Sequence, residues 1–342
     1  MSTDSSPFRT VVVELTERCN LRCRMCWWWG DAGIAPARAA GQDELALAEW
    51  RAFVDDVSPY RPHLRFTGGE PLVRPDVFDV IEYARARGLG CSMITNGTRL
   101  DAAGAARLVA AGVEAVTFSL HGDAAADAAV RGHGAFEQTL AALEALLAAR
   151  QPAARPHVMI NCVITPHNLE SLPAVIALGR RLGVHVRLQH LMWYDQATVE
   201  AHRRALRESF GRDDATLQGF VRGDQAVDVA RLLEILAAEG YLRPRNPGGP
   251  SHTVPALSRG DVERWYTDLA YCGVTGCEYV TRAARVKANG DVVACPFVED
   301  VWGNVRERSL RDIVVSAPAR RFREAVARHL LPGCTRCCKL DW

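Results

Sequence analysis

The chain reads as an α/β protein built on an open, partial (β/α)6 TIM-like barrel, and three observations carry that reading. Six apolar, β-branched runs alternate with amphipathic helical stretches between Val11 and Leu191, the mark of parallel βα units. Six units are too few to close an eight-fold barrel, so the sheet stays open. The residues able to do chemistry gather in the loops after the strands, where barrels build their sites. Composition agrees with one large unit and one small one: 342 residues, 48% apolar and 24% charged. A formal net charge of +1 gives no basis for a nucleic-acid or acidic-membrane partner. No apolar run approaches membrane-spanning length, and the stretch Met1 to Pro7 lacks the apolar core of a signal peptide. A cytoplasmic chain is expected.

Taken in order, the run 11–15 (VVVEL) predicts a buried strand, and a cysteine-bearing loop follows it. Trp27-Trp28-Trp29-Gly30 and a Gly/Ala/Pro-rich connection lead to about Gln42. Asp43 opens a helix to about Val57, with Leu45, Leu47, Trp50, Phe53, Val54 and Val57 on its apolar face. Strands are predicted over 63–67, 89–95, 115–120, 158–164 and 184–191, and helices over 76–87, 101–111, 135–149 and 169–182. After Trp193 the strand signal stops. Two helical stretches, 197–210 and 226–238, read as an insertion, and the Pro/Gly-rich 243–260 reads as a linker or active-site loop. Short strands are expected at 284–287 and 292–294 in a cysteine-bearing tail. The expected organisation is therefore barrel 10–192, helical bridge and linker 193–268, and C-terminal unit 269–342.

Eleven cysteines without a leader point to metal ligation in a reducing compartment and not to disulfides. Cys19, Cys23 and Cys26, spaced C-x3-C-x2-C on one loop, suit three corners of an iron–sulfur cube, leaving the fourth iron open for chemistry. A structural zinc loop is the plainer alternative for that stretch. Gly68-Gly69 after the second strand lets backbone approach a ligand closely, and Glu70 offers an acceptor for an ammonium group; by themselves the four residues Gly68 to Pro71 also fit a plain turn.

In order along the chain, the cysteine triad, Gly68-Gly69-Glu70-Pro71, Thr95-Asn96-Gly97 and Ser119-Leu120 resemble the motifs of radical S-adenosylmethionine (SAM) enzymes, over roughly 11–191. The resemblance implies a [4Fe–4S] cluster on Cys19, Cys23 and Cys26 whose open iron chelates the amine and carboxylate of SAM. It implies that Gly68, Gly69 and Glu70 bind the methionyl amine, and that Thr95 and Ser119 contact ribose or methionyl groups. Arg131 is the candidate for the SAM carboxylate, with a surface arginine as the alternative, since a guanidinium fork matches that geometry. Asn161 is expected to make a polar contact, and backbone near Leu188 to meet the adenine. A flavodoxin- or ferredoxin-type protein would supply the electron that cleaves SAM. Two positions depart from the usual pattern: His121 follows Ser-Leu where relatives often carry an acid, and Met25 replaces an aromatic. His121 is the candidate catalytic residue facing substrate, against the alternative of a histidine that merely ends a strand. The three tryptophans could shield the cluster or simply pack.

The C-terminal cysteines resemble the auxiliary-cluster region called a SPASM or twitch domain: Cys277, Gly290, Cys295-Pro296, then Cys334 and Cys337. A zinc knuckle is the alternative, though it would more often show two close pairs. Cys277, Cys295, Cys334 and Cys337 are the expected ligands of one auxiliary [4Fe–4S] cluster, with Cys272 and Cys338 as spares. The end at Trp342 suggests the one-cluster twitch form over the two-cluster form. Cys91 and Cys162 read as buried structural thiols.

Twitch-bearing relatives include dehydrogenases, and a nearby cluster suits removal of the second electron from a carbon already robbed of hydrogen. The leading expectation is therefore oxidation of a hydroxyl carbon on a small polar molecule such as a sugar, aminocyclitol or nucleoside. Epimerisation or decarboxylation of a sugar and modification of a peptide are the enzyme alternatives. The barrel begins about ten residues from the start, which counts against a leader-binding domain and hence against the peptide. A non-catalytic iron–sulfur electron carrier is the alternative of a different class, and it would need no SAM pocket.

Overall fold

The computed structural model describes residues 8–31, 33–35, 43–150, 155–221, 226–242 and 252–338. Six strands, β1 (Thr10–Thr16), β2 (His63–Gly68), β3 (Gly90–Thr95), β4 (Ala115–Ser119), β5 (His157–Val163) and β6 (His185–Gln189), lie side by side in chain order, each parallel to the next. Helices α1 (Leu47–Val57), α2 (Val77–Ala86), α3 (Ala102–Ala110), α4 (Ala124–Arg131), α5 (Ala135–Arg150) and α6 (Leu172–Leu182) carry the chain back between them. This is the open barrel that the alternation predicted.

The side-chain alternation of the strands sorts two faces. Val11, Val13, Leu64, Phe66, Cys91, Met93, Val116, Phe118, Ile160, Cys162, Val186 and Leu188 are all buried in one core with the helices. Removing this much apolar surface from water is the main source of stability. The opposite positions carry Glu14, Arg65, Ser92, Thr117, Ser119, Asn161 and Arg187, so the inner wall is polar and charged.

Three features depart from the expectations. The C-terminal strands do not stand apart: β8 (Ala283–Val286) pairs parallel with β1, Thr10–Val13 lying opposite Ala283–Val286, and β9 (Asp291–Cys295) and β10 (Val298–Asn304) follow antiparallel. With β7 (Thr253–Val254) on the far edge, beside β6, one ten-stranded sheet results. β7 falls within the expected linker, of which 243–251 lie outside the described residues, as does most of the connection before Asp43. Helix α1 starts at Leu47, later than expected, because Asp43 has φ +60° and the Glu49 carboxylate caps the Ala46 N–H at 2.7 Å. Helix α4 was not foreseen; its alanines carry little apolar periodicity, and Asp123 caps it through the Ala126 N–H at 2.9 Å.

Beyond the barrel come α7 (Gln196–Phe210), α8 (Val229–Ala238), α9 (Arg259–Thr267), α10 (Tyr279–Arg282), α11 (Leu310–Val314) and α12 (Ala317–Arg328). Among the described residues no helix is long and apolar enough to cross a membrane.

Candidate functional site

The loop after β1 is shaped by short-range bonds. Glu44 accepts from the Thr16 hydroxyl at 2.7 Å and from the Glu17 N–H at 2.9 Å, which fixes where the strand lets go. The Cys26 N–H donates to Cys23 O at 2.8 Å and the Gly30 N–H to Cys26 O at 2.9 Å. A Cβ on Gly30 would stand 2.4 Å from that Cys26 oxygen, so the turn closes only around glycine. Cys19, Cys23 and Cys26 thereby line one cleft with Trp27, Trp28, Trp29, Gly68 and Gly69. The cleft holds about 930 Å³ of space, counted out to its open mouth, which suits a cofactor with part of a substrate.

The thiols are prepared as ligands. Cys19 Sγ accepts the Leu21 N–H at 3.4 Å and Cys26 Sγ accepts the Trp29 N–H at 3.3 Å. Burial raises the Cys19 thiol and pushes Cys23 up to about 12, and the neighbouring thiols of the triad add to both shifts. Such thiols stay protonated until a soft metal stabilises the thiolate. Three soft donors on one wall, with N–H groups aimed at sulfur, fit an iron–sulfur cluster. Among the described residues no three His, Cys, Asp or Glu stand close enough to share a single metal ion, as a tetrahedral zinc with bonds of about 2.3 Å would need.

The Gly68–Gly69 backbone forms the facing wall. Gly69 N–H donates to Thr16 O and Glu70 N–H to Arg18 O, both at 2.8 Å, and a Cβ on Gly69 would meet Arg18 O at 2.2 Å. The Glu70 carboxylate is turned the other way. It is 1% exposed and accepts from the Thr95 hydroxyl at 2.7 Å, the Asn96 N–H at 2.6 Å and the Leu72 N–H at 3.0 Å. Its side chain ties the end of β2 to the end of β3 instead of offering itself to a ligand, and Thr95 is consumed with it.

Other expected residues are also placed behind the cleft. Arg131 is buried and donates to Ser119 O, to Asn96 O at 2.7 Å and to Thr139 Oγ1 at 3.0 Å, with Asp127 at 3.4 Å. It clamps the ends of β3 and β4 to α4. His121 is 2% exposed, and its Nδ1 accepts the Val163 N–H at 3.0 Å. Burial, with Arg131 nearby, holds it down to about 3, so it is neutral. In place of facing substrate, it stitches the β4 loop to β5. The Leu188 side chain is in the core and its N–H donates to His252 O at 2.8 Å, so β7 covers that backbone. Ser119 and Asn161 lie opposite each other on the inner wall.

Sequence reasoning missed the charged inner wall: Glu14 paired with Arg285, Lys287 bonded to Glu299 at 2.8 Å, and Arg65 and Arg187. The signal was present, since each basic residue interrupts an apolar strand at every second position. All three tryptophans line the cleft, as the packing and shielding readings both allowed. Trp27 stacks on Phe220 with centroids 5.4 Å apart, and Trp29 donates to Glu17 O at 2.8 Å.

The second thiol group is assembled from distant segments. Cys295 ends β9, Cys277 precedes α10, and Cys334 sits in the turn Pro332–Arg336. Burial pushes Cys295 up to about 12, and Cys277 adds to it. Cys334 is raised by burial and by the thiols of Cys295, Cys277 and Cys272. Cys337, expected as the fourth member, leaves the turn in an extended conformation and shares Tyr194 with Cys334 and Tyr279 with Cys295, as does Cys338. Cys91 and Cys162 are fully buried in the core, and none of the eleven cysteines is in a disulfide.

An open βα barrel whose first loop presents three thiols, extended by a second thiol group, defines a radical SAM enzyme. Residues 13–178 match the radical SAM superfamily and residues 277–338 match the SPASM iron–sulfur cluster-binding domain. The chain belongs to the radical SAM superfamily; its cofactors are SAM, the [4Fe–4S] cluster that binds it, and auxiliary iron–sulfur. Among its relatives, the mycofactocin maturase MftC of Mycobacterium ulcerans is 34% identical over 294 residues, 83% of this chain and 67% of that protein. The PqqA peptide cyclase of Xanthomonas campestris is 28% identical over 353 aligned positions, covering 100% of this chain and 82% of that protein. The structure of Streptococcus suis SuiB bound to the precursor peptide SuiA superposes with a TM-score of 0.66 at 13% identity, over 97% of this chain and 71% of that one.

Proposed function

We propose that this enzyme modifies a peptide. The observation that carries the reading is the match to a PqqA peptide cyclase along the whole chain, C-terminal cysteines included. The relative matched along the whole chain acts on a peptide by its name, so hydroxyl oxidation of a small polar molecule becomes the second reading. The open cleft supports a substrate that reaches in from outside.

In this reading Cys19, Cys23 and Cys26 hold the SAM-binding cluster, and Cys272, Cys277, Cys295 and Cys334 hold one auxiliary cluster. The cluster and SAM, when bound, would supply a 5′-deoxyadenosyl radical able to take hydrogen from a substrate carbon. The chain's own residues prepare that step. The Gly68–Gly69 backbone borders the ligand, Trp27, Trp28 and Trp29 keep water from the cleft, and Glu70 and Arg131 hold the strand ends rigid beneath it. Eleven cysteines without a disulfide suit a reducing cytoplasm and a flavodoxin- or ferredoxin-type electron donor.

The test is anaerobic incubation of reconstituted enzyme, SAM and reductant with short peptides encoded beside its gene, and separately with aminocyclitols and nucleosides. A peptide should raise 5′-deoxyadenosine formation and change mass in the same reaction. Stimulation by the small polar compounds alone returns the reading to hydroxyl oxidation.

A further inference from the structure

Three arginines are buried among the described residues, and two of them are balanced: Arg74 by Asp76 and Arg131 by Asp127. Arg336 is not. It closes the turn Pro332–Arg336, is 0% exposed and lies with its guanidinium 5.1 Å over the Trp265 ring. All its hydrogen bonds go to backbone. Nη1 donates to Tyr271 O at 3.0 Å and Thr335 O at 3.2 Å, and Nη2 donates to Asp268 O at 2.6 Å. Its buried Nε has no hydrogen-bond partner. The one carboxylate that acts on it belongs to the exposed Asp268, accepts the Ala270 N–H at 3.0 Å and makes no ion pair with it.

A cation sealed from water with only carbonyl dipoles around it is costly unless an anion stands close. Thiols lie on both sides of it. Arg336 follows Cys334 by two residues and directly precedes Cys337, and the Tyr271 carbonyl that it holds belongs to the residue before Cys272. Burial pulls its pKa below the ordinary range, opposed by Tyr194, Asp268 and the Cys272 thiol. Arg336 itself falls inside the stretch 277–338 that matches the SPASM cluster-binding domain. A four-iron cube on four thiolates is an anion, and reduction makes it more negative.

We propose that Arg336 is the buried counter-charge of the auxiliary iron–sulfur cluster: it ties the Cys272 stretch to the Cys334 turn and raises the cluster's reduction potential. It is a positioning residue, since it acts on the reaction through the cluster. The planar guanidinium fork spans the Asp268 and Tyr271 carbonyls at once, which a lysine ammonium does less well. A fixed positive charge favours the reduced cube over the oxidised one, which suits a centre that takes an electron from a substrate radical. Arg336 plays this part whichever of Cys272, Cys334 and Cys337 bind iron, and whether the substrate is a peptide or a small polar molecule.

The test is an EPR-monitored potentiometric titration of the full-length reconstituted enzyme, with iron counted beforehand. The auxiliary signal is the one that added SAM leaves unchanged. In Arg336→Gln, poised at the wild-type midpoint, the ratio of reduced to oxidised auxiliary cluster should fall about tenfold, a negative shift of about 59 mV for one electron. Arg336→Lys keeps the charge and should stay near the wild-type midpoint. The SAM-responsive signal should keep its midpoint in both variants. Full iron with an unmoved auxiliary midpoint in Arg336→Gln overturns the proposal, as does an equal shift in the lysine variant. Where Arg336→Gln loses the auxiliary iron, Arg336→Lys decides. Iron retained by lysine supports the need for charge, whereas iron lost from both reduces Arg336 to a backbone clamp and overturns the proposal. A wild-type enzyme without a SAM-insensitive cluster signal overturns it as well, whatever its substrate proves to be.

Discussion

Cys19, Cys23 and Cys26 stand on a single loop, whereas the proposed auxiliary ligands come from three segments: Cys272 and Cys277 from the stretch before α10, Cys295 from the end of β9 and Cys334 from the turn Pro332–Arg336. The first set is shaped by bonds inside its own loop, such as Cys26 N–H to Cys23 O, and by Glu44 at the strand exit. The second set exists only because the sheet continues: β9 is held through β8 against β1, and the Pro332–Arg336 turn docks on α7 by the Gly333 N–H to His202 Nδ1 bond at 3.1 Å. A local set tolerates change elsewhere in the molecule. A set assembled over long range reports the integrity of the whole fold.

That contrast can be broken most sharply at the first set. Replacing Cys19, Cys23 and Cys26 together by alanine should leave about four of about eight irons per chain and reduce 5′-deoxyadenosine formation to background. Elemental analysis and product assay read the two effects separately. Retained SAM cleavage, or loss of all iron, would show that the two sets are not independent.

The second set is sharpened by comparing two single substitutions. Cys272→Ala should lose the auxiliary iron while SAM cleavage without substrate continues, and Cys337→Ala should keep the iron. The opposite outcome would restore Cys337 to the position first expected for it. Zinc in place of iron at this set would remove the auxiliary cluster altogether.

The smallest effect concerns the rim below the first set. His121 is neutral in the fold with its pKa held down to about 3, against about 6.5 in an unfolded chain. Between those values the unfolded chain binds more protons, so the stability that neutral His121 provides is complete above about pH 6.5 and is lost as pH falls. At pH 5 the loss is about 2 kcal/mol for this one group. His121→Asn supplies an oxygen in place of Nδ1 for the Val163 N–H and cannot titrate. Its denaturation midpoint should therefore fall less than that of the wild type between pH 7.5 and 5, and equal slopes would count against a buried neutral histidine.

By itself the sequence determined the α/β alternation, the open six-unit barrel, the cysteine loop at the end of the first strand and the glycine pair beside it. Each of these is a local matter: strand and helix periods repeat within a few residues, and the C-x3-C-x2-C triad needs only one loop to converge. Cys91 and Cys162 were readable as core thiols for the same reason, from their alternation within apolar strands. Tertiary structure decided the rest. It turned Glu70, Thr95, Arg131 and His121 inward to brace the strand ends, and it joined β8 to β1. A polar side chain at a strand end can face ligand or neighbouring backbone with equal local cost, and the choice falls to whichever buried N–H groups would otherwise lack an acceptor.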